Sequence, residues 1–401
     1  MRTIVVVGAS LAGVRAAATL RAKGFDGRLV LVGDEQHEPY DRPPLSKQFL
    51  AGEWDAGRVT LPDATPASLD VERHRGTRAV TLDVADRRVD LDDGEQIRFD
   101  GLVVATGATP RRLPSQPELP GVHVLRTLDD ALALRADLER TPGRVVVVGA
   151  GFIGAEVAAT CRGRGLPVTL VEALPLPLAR VLGETVGRVV AAVHSDHGVD
   201  LRLGVGVEGF VGTGRVEGLR LGDGTSVRAD VVVVGIGVAP TTGWLEGSGL
   251  RLADGVVCDP SCVAADGIVA AGDVARWAHP RYGSIRVEHW ENAIAQGEHA
   301  AARLLAGSGP GEPFSPVPWF WSDQYDRKLQ AVGRPSAGDE VVVVDGSLAE
   351  RRFVALYGRD GVVQGAVGMN RPSAVVRWRD RLAEPVGWDE AVAGATPGRR
   401  G

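Results

Sequence analysis

Cysteine is scarce: only Cys161, Cys258 and Cys262 occur in 401 residues. Three are too few for the disulfide framework of a secreted protein, and the pair at 258 and 262 lacks the second half of a zinc site. All three read as buried small hydrophobes. Long apolar runs are missing as well, since no stretch reaches the ~18 uninterrupted residues that a membrane helix requires. Positive charge is not in excess. The formal net charge of −6 speaks against nucleic acid as the main partner, although a local basic patch is compatible with it. The start, "MRTIVVVGAS", runs directly into a β-branched strand without the segments of a leader peptide. These absences predict a cytoplasmic protein with no membrane and no nucleic-acid partner.

What is present is ordinary for a soluble globular chain, with 44% hydrophobic and 24% charged residues. The length exceeds one ordinary core, so two or three domains are expected. One pattern occurs twice. "TIVVVGASLAGVRAAATLRAKG" is followed by "RLVLVGDE", and "RVVVVGAGFIGAEVAATCRGRG" by "LPVTLVEA". Each has an apolar strand, a glycine-rich turn, an Ala-rich helix ended by glycine, and a second apolar strand closing on an acid. Strands apolar on both faces and alternating with helices imply a parallel sheet covered on each side. The expected fold class is therefore α/β, with two doubly wound Rossmann-type dinucleotide-binding domains.

Between and after these units come "FDGLVVATGATPRRLP" and "ADVVVVGIGVAP", buried strands that exit through proline as a domain crossover would. From Gly307 the run "GSGPGEPFSPVPWFW" reads as a linker. Beyond it, "EVVVVD" and a hairpin around Asp360-Gly361 predict a small antiparallel sheet in a third, α+β domain over residues 311–401.

Gly149, Gly151 and Gly154 complete G-x-G-x-x-G between a strand and a helix. The first permits the tight turn, the second lets backbone N–H groups approach a pyrophosphate, and the third lets the helix pack on the strand. The anion then rests on the positive end of the helix. Glu172 follows at the end of the next strand, roughly 20 residues on, where a carboxylate accepts from a ribose diol. No basic cluster follows it in "ALPLPLAR", which favours NADH over NADPH. The alternative for Glu172 is a helix-capping or solvent-facing acid. The first unit, with Gly8 and Gly13, carries Ser10 where the second glycine is expected; its ribose acid is Asp34, with Glu35 as the adjacent alternative. Two dinucleotide units imply two ligands, a hydride donor and an acceptor cofactor.

Taken in order, the N-terminal glycine turn, "YDRPPLSK", "VVATGATPR", "GAGFIG", "GIGVAP", "AAGDVA" and "VPWFWSDQ" resemble the FAD-dependent pyridine nucleotide-disulfide oxidoreductase superfamily. Within it, the chain is similar to the NADH-dependent ferredoxin reductases that serve haem monooxygenases and ring-hydroxylating dioxygenases. The resemblance spans nearly the whole chain and implies a glutathione reductase-like arrangement: residues 1–108 and 235–310 for FAD, 109–234 for NAD, and 311–401 as the C-terminal domain. It implies that Gly8, Ala12 and Gly13 lie against the FAD pyrophosphate, with Asp34 on the ribose. Arg42, Lys47, Ala79, Thr106, Gly107 and Arg126 would line the same cofactor, Asp273 would bind its ribitol and Trp290 would lie near its ring. Taken alone, Trp290 suits ordinary core packing. On the NAD side, Glu156 and Glu288 would stand near the nicotinamide and Arg180 near the adenosine. Glu156 has a plainer alternative as an acid in a helix's first turn.

Thiol-dependent relatives carry their redox cysteine where this chain reads "YDRPPLSKQFL". Ser46 and Lys47 occupy that region, so electrons are expected to leave directly from the flavin to an external acceptor. Lys47, paired with Glu156, is the expected catalytic ammonium. The implied acceptor is an acidic, transiently bound iron-sulfur ferredoxin, with the reductase a monomer or homodimer; Arg281, Arg286, Arg327 and Lys328 are candidates to meet it, the alternative being a solvated charged surface. Rubredoxin or monodehydroascorbate reductase, or an NADH-sensing flavoprotein of the apoptosis-inducing-factor type, are the alternatives. His289 receives no role, and no metal site is expected.

Overall fold

A computed structural model describes residues 1–62, 69–114, 116–140, 143–307 and 309–393. The expected linker at Ser308 and the end of the expected third domain, residues 394–401, lie outside these residues, as do positions 115, 141 and 142 of the expected NAD domain. The chain divides into two compact units, residues Met1–Asp41, Val59–Thr109 and Val238–Pro316, and residues Arg42–Arg58, Pro110–Gly237 and Val317–Gly401.

In the first unit, a six-stranded sheet runs in the order Val263–Ala265, Ile268–Ala270, Gly101–Val104, Thr3–Val7, Arg28–Gly33, Glu72–Arg75. All neighbours are parallel except the Val263–Ala265 edge pair. Ile4, Val5, Val6, Leu102, Val103 and Val104 are fully buried, which explains the unbroken apolar runs: a central parallel strand meets protein on both faces. The strand order reverses direction between Thr3–Val7 and Gly101–Val104. Open parallel sheets bind ligands at such a point, beyond the carboxyl ends of the strands. Gly8, Thr106 and Asp273 stand just beyond the carboxyl ends of three parallel strands and so share one sheet edge. Helices Leu11–Ala22 and Trp290–Ala306 pack on each other at Ala12 and Gly297, where a Cβ on Gly297 would lie 2.5 Å from the Ala12 carbonyl oxygen.

The second unit repeats the plan in a parallel sheet ordered Asp200–Leu203, Val168–Glu172, Val145–Val148, Val231–Val234, Val122–His123. It also contains a five-stranded antiparallel sheet, Trp319–Gln324, Arg327–Gly333, Val362–Met369, Arg352–Arg359, Glu340–Ser347. Its hairpin turns at Asp360 and Gly361, with φ of 53° and 72°, the backbone that a two-residue turn between twisted strands demands. The helix Ala179–Asp196 buries Leu182, Val186, Val190 and Val193 in one apolar cluster with Phe353, Ala355 and Val367 of that sheet. Pro43–Ser46 forms a 3₁₀ turn with proline at its start, as a fixed φ and a missing N–H favour. No helix among the described residues is long and apolar enough to cross a membrane.

Candidate functional site

The two glycine turns show which glycines the protein itself requires. Gly8 and Gly149 have φ of +113° and +98°, and a Cβ on them would lie 2.1 and 2.4 Å from the carbonyl oxygens of Ala105 and Gly235. Gly13 and Gly154 pack their helices on the turn, since a Cβ there would fall 1.8 and 1.9 Å from the Gly8 and Gly149 carbonyl oxygens. Gly151 differs. Its φ of −73° suits any residue, and a Cβ would meet no protein atom within 4 Å. Neither protein packing nor backbone strain calls for glycine there, which fits a turn kept open for a closely approaching group. Neither Gly151 nor Ser10 gives its helix a side-chain cap, so the leading N–H groups take no cap bond from them.

The ribose acids are not equivalent. Glu172 Oε2 accepts from the Ala150 N–H at 2.7 Å and Oε1 from the Leu174 N–H at 2.9 Å, tying the acid to the glycine turn. In the first sheet Val7 pairs with Val32, as Val148 pairs with Val171. Gly33, not Asp34, therefore occupies the register position of Glu172. A Cβ at Gly33 would already be 2.5 Å from Ala9 Cβ. Asp34, one residue on, is exposed, while the Tyr40 hydroxyl donates to the Glu35 carboxylate. Arg180 is exposed in the first turn of its helix.

In the first unit, Thr106 Oγ1 donates to the Thr241 carbonyl at 2.8 Å, Gly107 has φ +68°, and Ala79 is buried in a small antiparallel sheet. Asp273 lies in the 3₁₀ turn Gly272–Val274, and its carbonyl accepts from Arg286 Nη1 at 3.0 Å. The same guanidinium pairs with Glu288 at 2.6 Å and Asp254 at 3.3 Å. Burial opposes the Arg286 charge, but these two carboxylates outweigh it and raise its pKa. Arg286 was expected among rim cations; its side chain is 10% exposed and clamps the Asp273 turn instead. Arg327 and Lys328 stay partly exposed while pairing with Asp326 and Asp323. Trp290 Nε1 donates to Asp41 Oδ1 at 2.9 Å, a polar anchor that core packing alone does not supply.

In the second unit, Glu156 is not a solvated first-turn acid. It is 3% exposed and accepts from Ser46 Oγ at 2.5 Å, Lys47 Nζ at 2.8 Å and Ser322 Oγ at 2.8 Å. Thr160 Oγ1, one turn along the same helix, donates to the Ser46 carbonyl at 2.7 Å. A buried carboxylate is tolerated only when paired and hydrogen-bonded, and this one is both. Arg42 Nη1 donates to the Arg126 carbonyl at 2.6 Å, and the Arg126 N–H donates to Asp130 at 3.0 Å. The pairing of Lys47 with Glu156 was legible in the sequence; Ser322 was not, its only signal being its position in "VPWFWSDQ".

Cys161, Cys258 and Cys262 are free and buried. Burial pushes the Cys161 and Cys262 thiols up to about 12, and burial, with neighbouring Cys262, also raises Cys258 well above the usual thiol range. Among the described residues, Glu72, His74 and Glu95 form the one trio with metal-ligand chemistry. Glu72, however, receives two bonds from Arg28, at 2.8 and 2.7 Å; these hold its pKa at about 2. The trio reads as part of an ion-pair network.

Each unit carries a glycine turn between a parallel strand and a helix, the arrangement of a dinucleotide-binding protein. Residues 2–297 match the Pyridine nucleotide-disulphide oxidoreductase family and residues 319–395 match the Reductase C-terminal family. The chain belongs to the pyridine nucleotide-disulphide oxidoreductase family. It is 39% identical over 390 residues to rhodocoxin reductase of Rhodococcus erythropolis, covering 95% of this chain and 88% of that protein. It is 41% identical over 342 residues to the ferredoxin–NAD(+) reductase component of a p-cumate 2,3-dioxygenase system from Pseudomonas putida, covering 84% and 83%. The crystal structure of the covalent putidaredoxin reductase–putidaredoxin complex contains a chain that matches with a TM-score of 0.91 at 34% identity, covering 98% of this chain and 99% of that one.

Proposed function

We propose that this protein is an NADH-dependent ferredoxin reductase, passing electrons from NADH to an iron-sulfur ferredoxin that feeds a haem monooxygenase or a ring-hydroxylating dioxygenase. FAD, when bound, accepts a hydride as an electron pair and releases single electrons. The Gly8–Gly13 turn, Thr106, Gly107 and the Asp273 turn of the first unit are the residues assigned to hold it. The Gly149–Gly154 turn is assigned to the NADH pyrophosphate and Glu172 to its ribose, with Arg180 at the adenosine end. Arg42, Ala79 and Arg126 keep their assignment to the flavin on the resemblance alone.

The observation that carries this reading is the triple grip of Ser46, Lys47 and Ser322 on the Glu156 carboxylate. Thiol-dependent relatives carry a cysteine in the Ser46–Lys47 region; here a hydroxyl and an ammonium hold an acid, and no thiol stands ready to relay electrons. Lys47 would present its ammonium to the negative charge that a bound flavin gains on reduction, with Glu156, which accepts from it at 2.8 Å, holding it in place. Glu288, held by Arg286, is proposed on the nicotinamide side. We further assign the protein to the cytoplasm as a monomer or homodimer, organised as an FAD domain (1–108 and 235–310), an NAD domain (109–234) and a C-terminal domain (311–401). Its partner is proposed to be acidic and transiently bound, with Arg281, Arg327 and Lys328 as candidate contacts.

Anaerobic stopped-flow mixing tests the reading. NADH is expected to bleach the flavin faster than NADPH does, and a panel of iron-sulfur ferredoxins is expected to reoxidise it one electron at a time. Bleaching followed by reoxidation with dioxygen alone, and with no ferredoxin, would overturn it.

A further inference from the structure

The helix Trp290–Ala306 carries two buried amides one turn apart, Asn292 at 7% exposure and Gln296 at 0%. No side chain assigned above explains them. Gln296 Oε1 accepts from the backbone N–H of Gly272 at 2.9 Å and from Asn292 Nδ2 at 3.1 Å. Asn292 Nδ2 also donates to the Val287 carbonyl at 3.2 Å, and Gln296 Nε2 donates to Cys262 Sγ at 3.5 Å. The orientation of the Gln296 amide is fixed by chemistry, because a backbone N–H can face only its oxygen. Both lone-pair directions of that oxygen are then used.

These bonds end on two segments that carry flavin assignments. Gly272 precedes Asp273, and Val287 precedes the run Glu288-His289-Trp290. A third segment meets the same helix step. A Cβ on Gly297 would fall 2.5 Å from the Ala12 carbonyl oxygen, and one on Gly272 would fall 2.9 Å from Ala12 Cβ. The phosphate turn, the Asp273 turn and the Trp290 segment thus meet at Gln296-Gly297.

We propose that Gln296, supported by Asn292, is a positioning residue for the flavin, fixing the Asp273 turn and the Trp290 segment against the Gly8–Gly13 turn. The inference rests on the reading that the first unit holds FAD. Groups on separate segments grip one ligand only if their mutual placement holds to a fraction of an ångström. The Gly272 N–H is the sensitive point. It is buried, its residue has φ +76°, and Gln296 supplies its acceptor.

The test uses the holoenzyme and reads three quantities: the FAD dissociation constant from free-flavin fluorescence on dilution, the midpoint potential of the bound flavin, and the melting temperature. Gln296→Leu, which removes the acceptor, is expected to weaken FAD by roughly tenfold to a hundredfold, the range for a buried donor left unpaired, and to shift the potential. Gln296→Glu, which keeps an oxygen toward Gly272, is expected to recover most of that loss. Cys262→Ala is expected to leave FAD affinity and potential unchanged. A Gln296→Leu protein that melts earlier but keeps wild-type FAD affinity and potential would overturn the proposal. If Gln296→Leu does not fold, Asn292→Ala decides. It leaves the Gly272 bond intact and frees Val287, so retained FAD with a shifted potential supports the proposal, and an unchanged potential overturns it. A wild-type protein that takes up no FAD would instead overturn the functional reading on which the inference stands.

Discussion

At the scale of single residues, Gly151 separates function from folding most cleanly. The other glycines of both turns are required by the protein's own backbone, whereas a methyl group at 151 would meet open space. Gly151→Ala is therefore expected to fold with a stability change within about 0.5 kcal/mol, while the KM for NADH rises by roughly tenfold, about 1.4 kcal/mol of binding. Gly154→Ala, whose Cβ would fall 1.9 Å from the Gly149 carbonyl oxygen, is expected to lose about 1–3 kcal/mol of stability through overpacking. Denaturant melts and steady-state NADH titrations of the two variants check the contrast. Equal stability losses in both would show that Gly151 is structural. Gly149, Gly151, Gly154 and Glu172 were legible because a nucleotide turn imposes a local spacing. The offset of Asp34 from the Glu172 position was not legible, since strand register is set by pairing between Val7 and Val32 rather than by local pattern. Ser322 was hidden for a similar reason: its partner Glu156 is 166 residues away.

At the scale of elements, the apolar parallel strands and the Asp360-Gly361 hairpin follow directly from period and turn chemistry. What sequence did not show is how helix Ala179–Asp196 meets the antiparallel sheet. It kinks at Gly183, with φ 70°, and ends in an aromatic cluster around the buried His194. His194 Nδ1 lies 2.8 Å from the Tyr325 hydroxyl, and the His197 ring stacks on Tyr325 at 3.7 Å. Burial, with neighbouring His197 adding to it, lowers the His194 pKa to about 4. The folded protein therefore holds His194 neutral, while the unfolded chain takes up a proton near pH 6.5. Stability from this group is fully present above pH 6.5 and is lost as pH falls from there to about 4, to a total of about 3 kcal/mol. His194→Gln is expected to flatten the stability profile over that window relative to wild type and to leave it unchanged above pH 7. Chemical denaturation at half-unit pH steps reads the difference. Parallel profiles for the two proteins would show that His194 does not titrate on unfolding.

At the scale of the whole molecule, the chain uses one architecture twice and then departs from the chemistry that names its family. Residues 42–58 cluster with the second unit although they lie in sequence between two segments of the first. Composition gives no hint of this, because the interleaving depends on contacts such as Thr160 to Ser46, 114 positions apart. The absence of cysteine from that segment is local and was readable at once, and the structure adds the state of the thiols elsewhere. Burial raises all three thiols, Cys161 and Cys262 to about 12, so almost no thiolate is present at pH 8, and burial blocks approach. Excess N-ethylmaleimide is expected to label none of the three cysteines in the native protein and all three after denaturation, with NADH-dependent electron transfer unchanged by the native treatment. Mass spectrometry of the labelled chain, taken beside the activity, reads both. Loss of activity in step with the labelling of one native thiol would place that sulfur on the electron path and overturn electron transfer without a thiol relay.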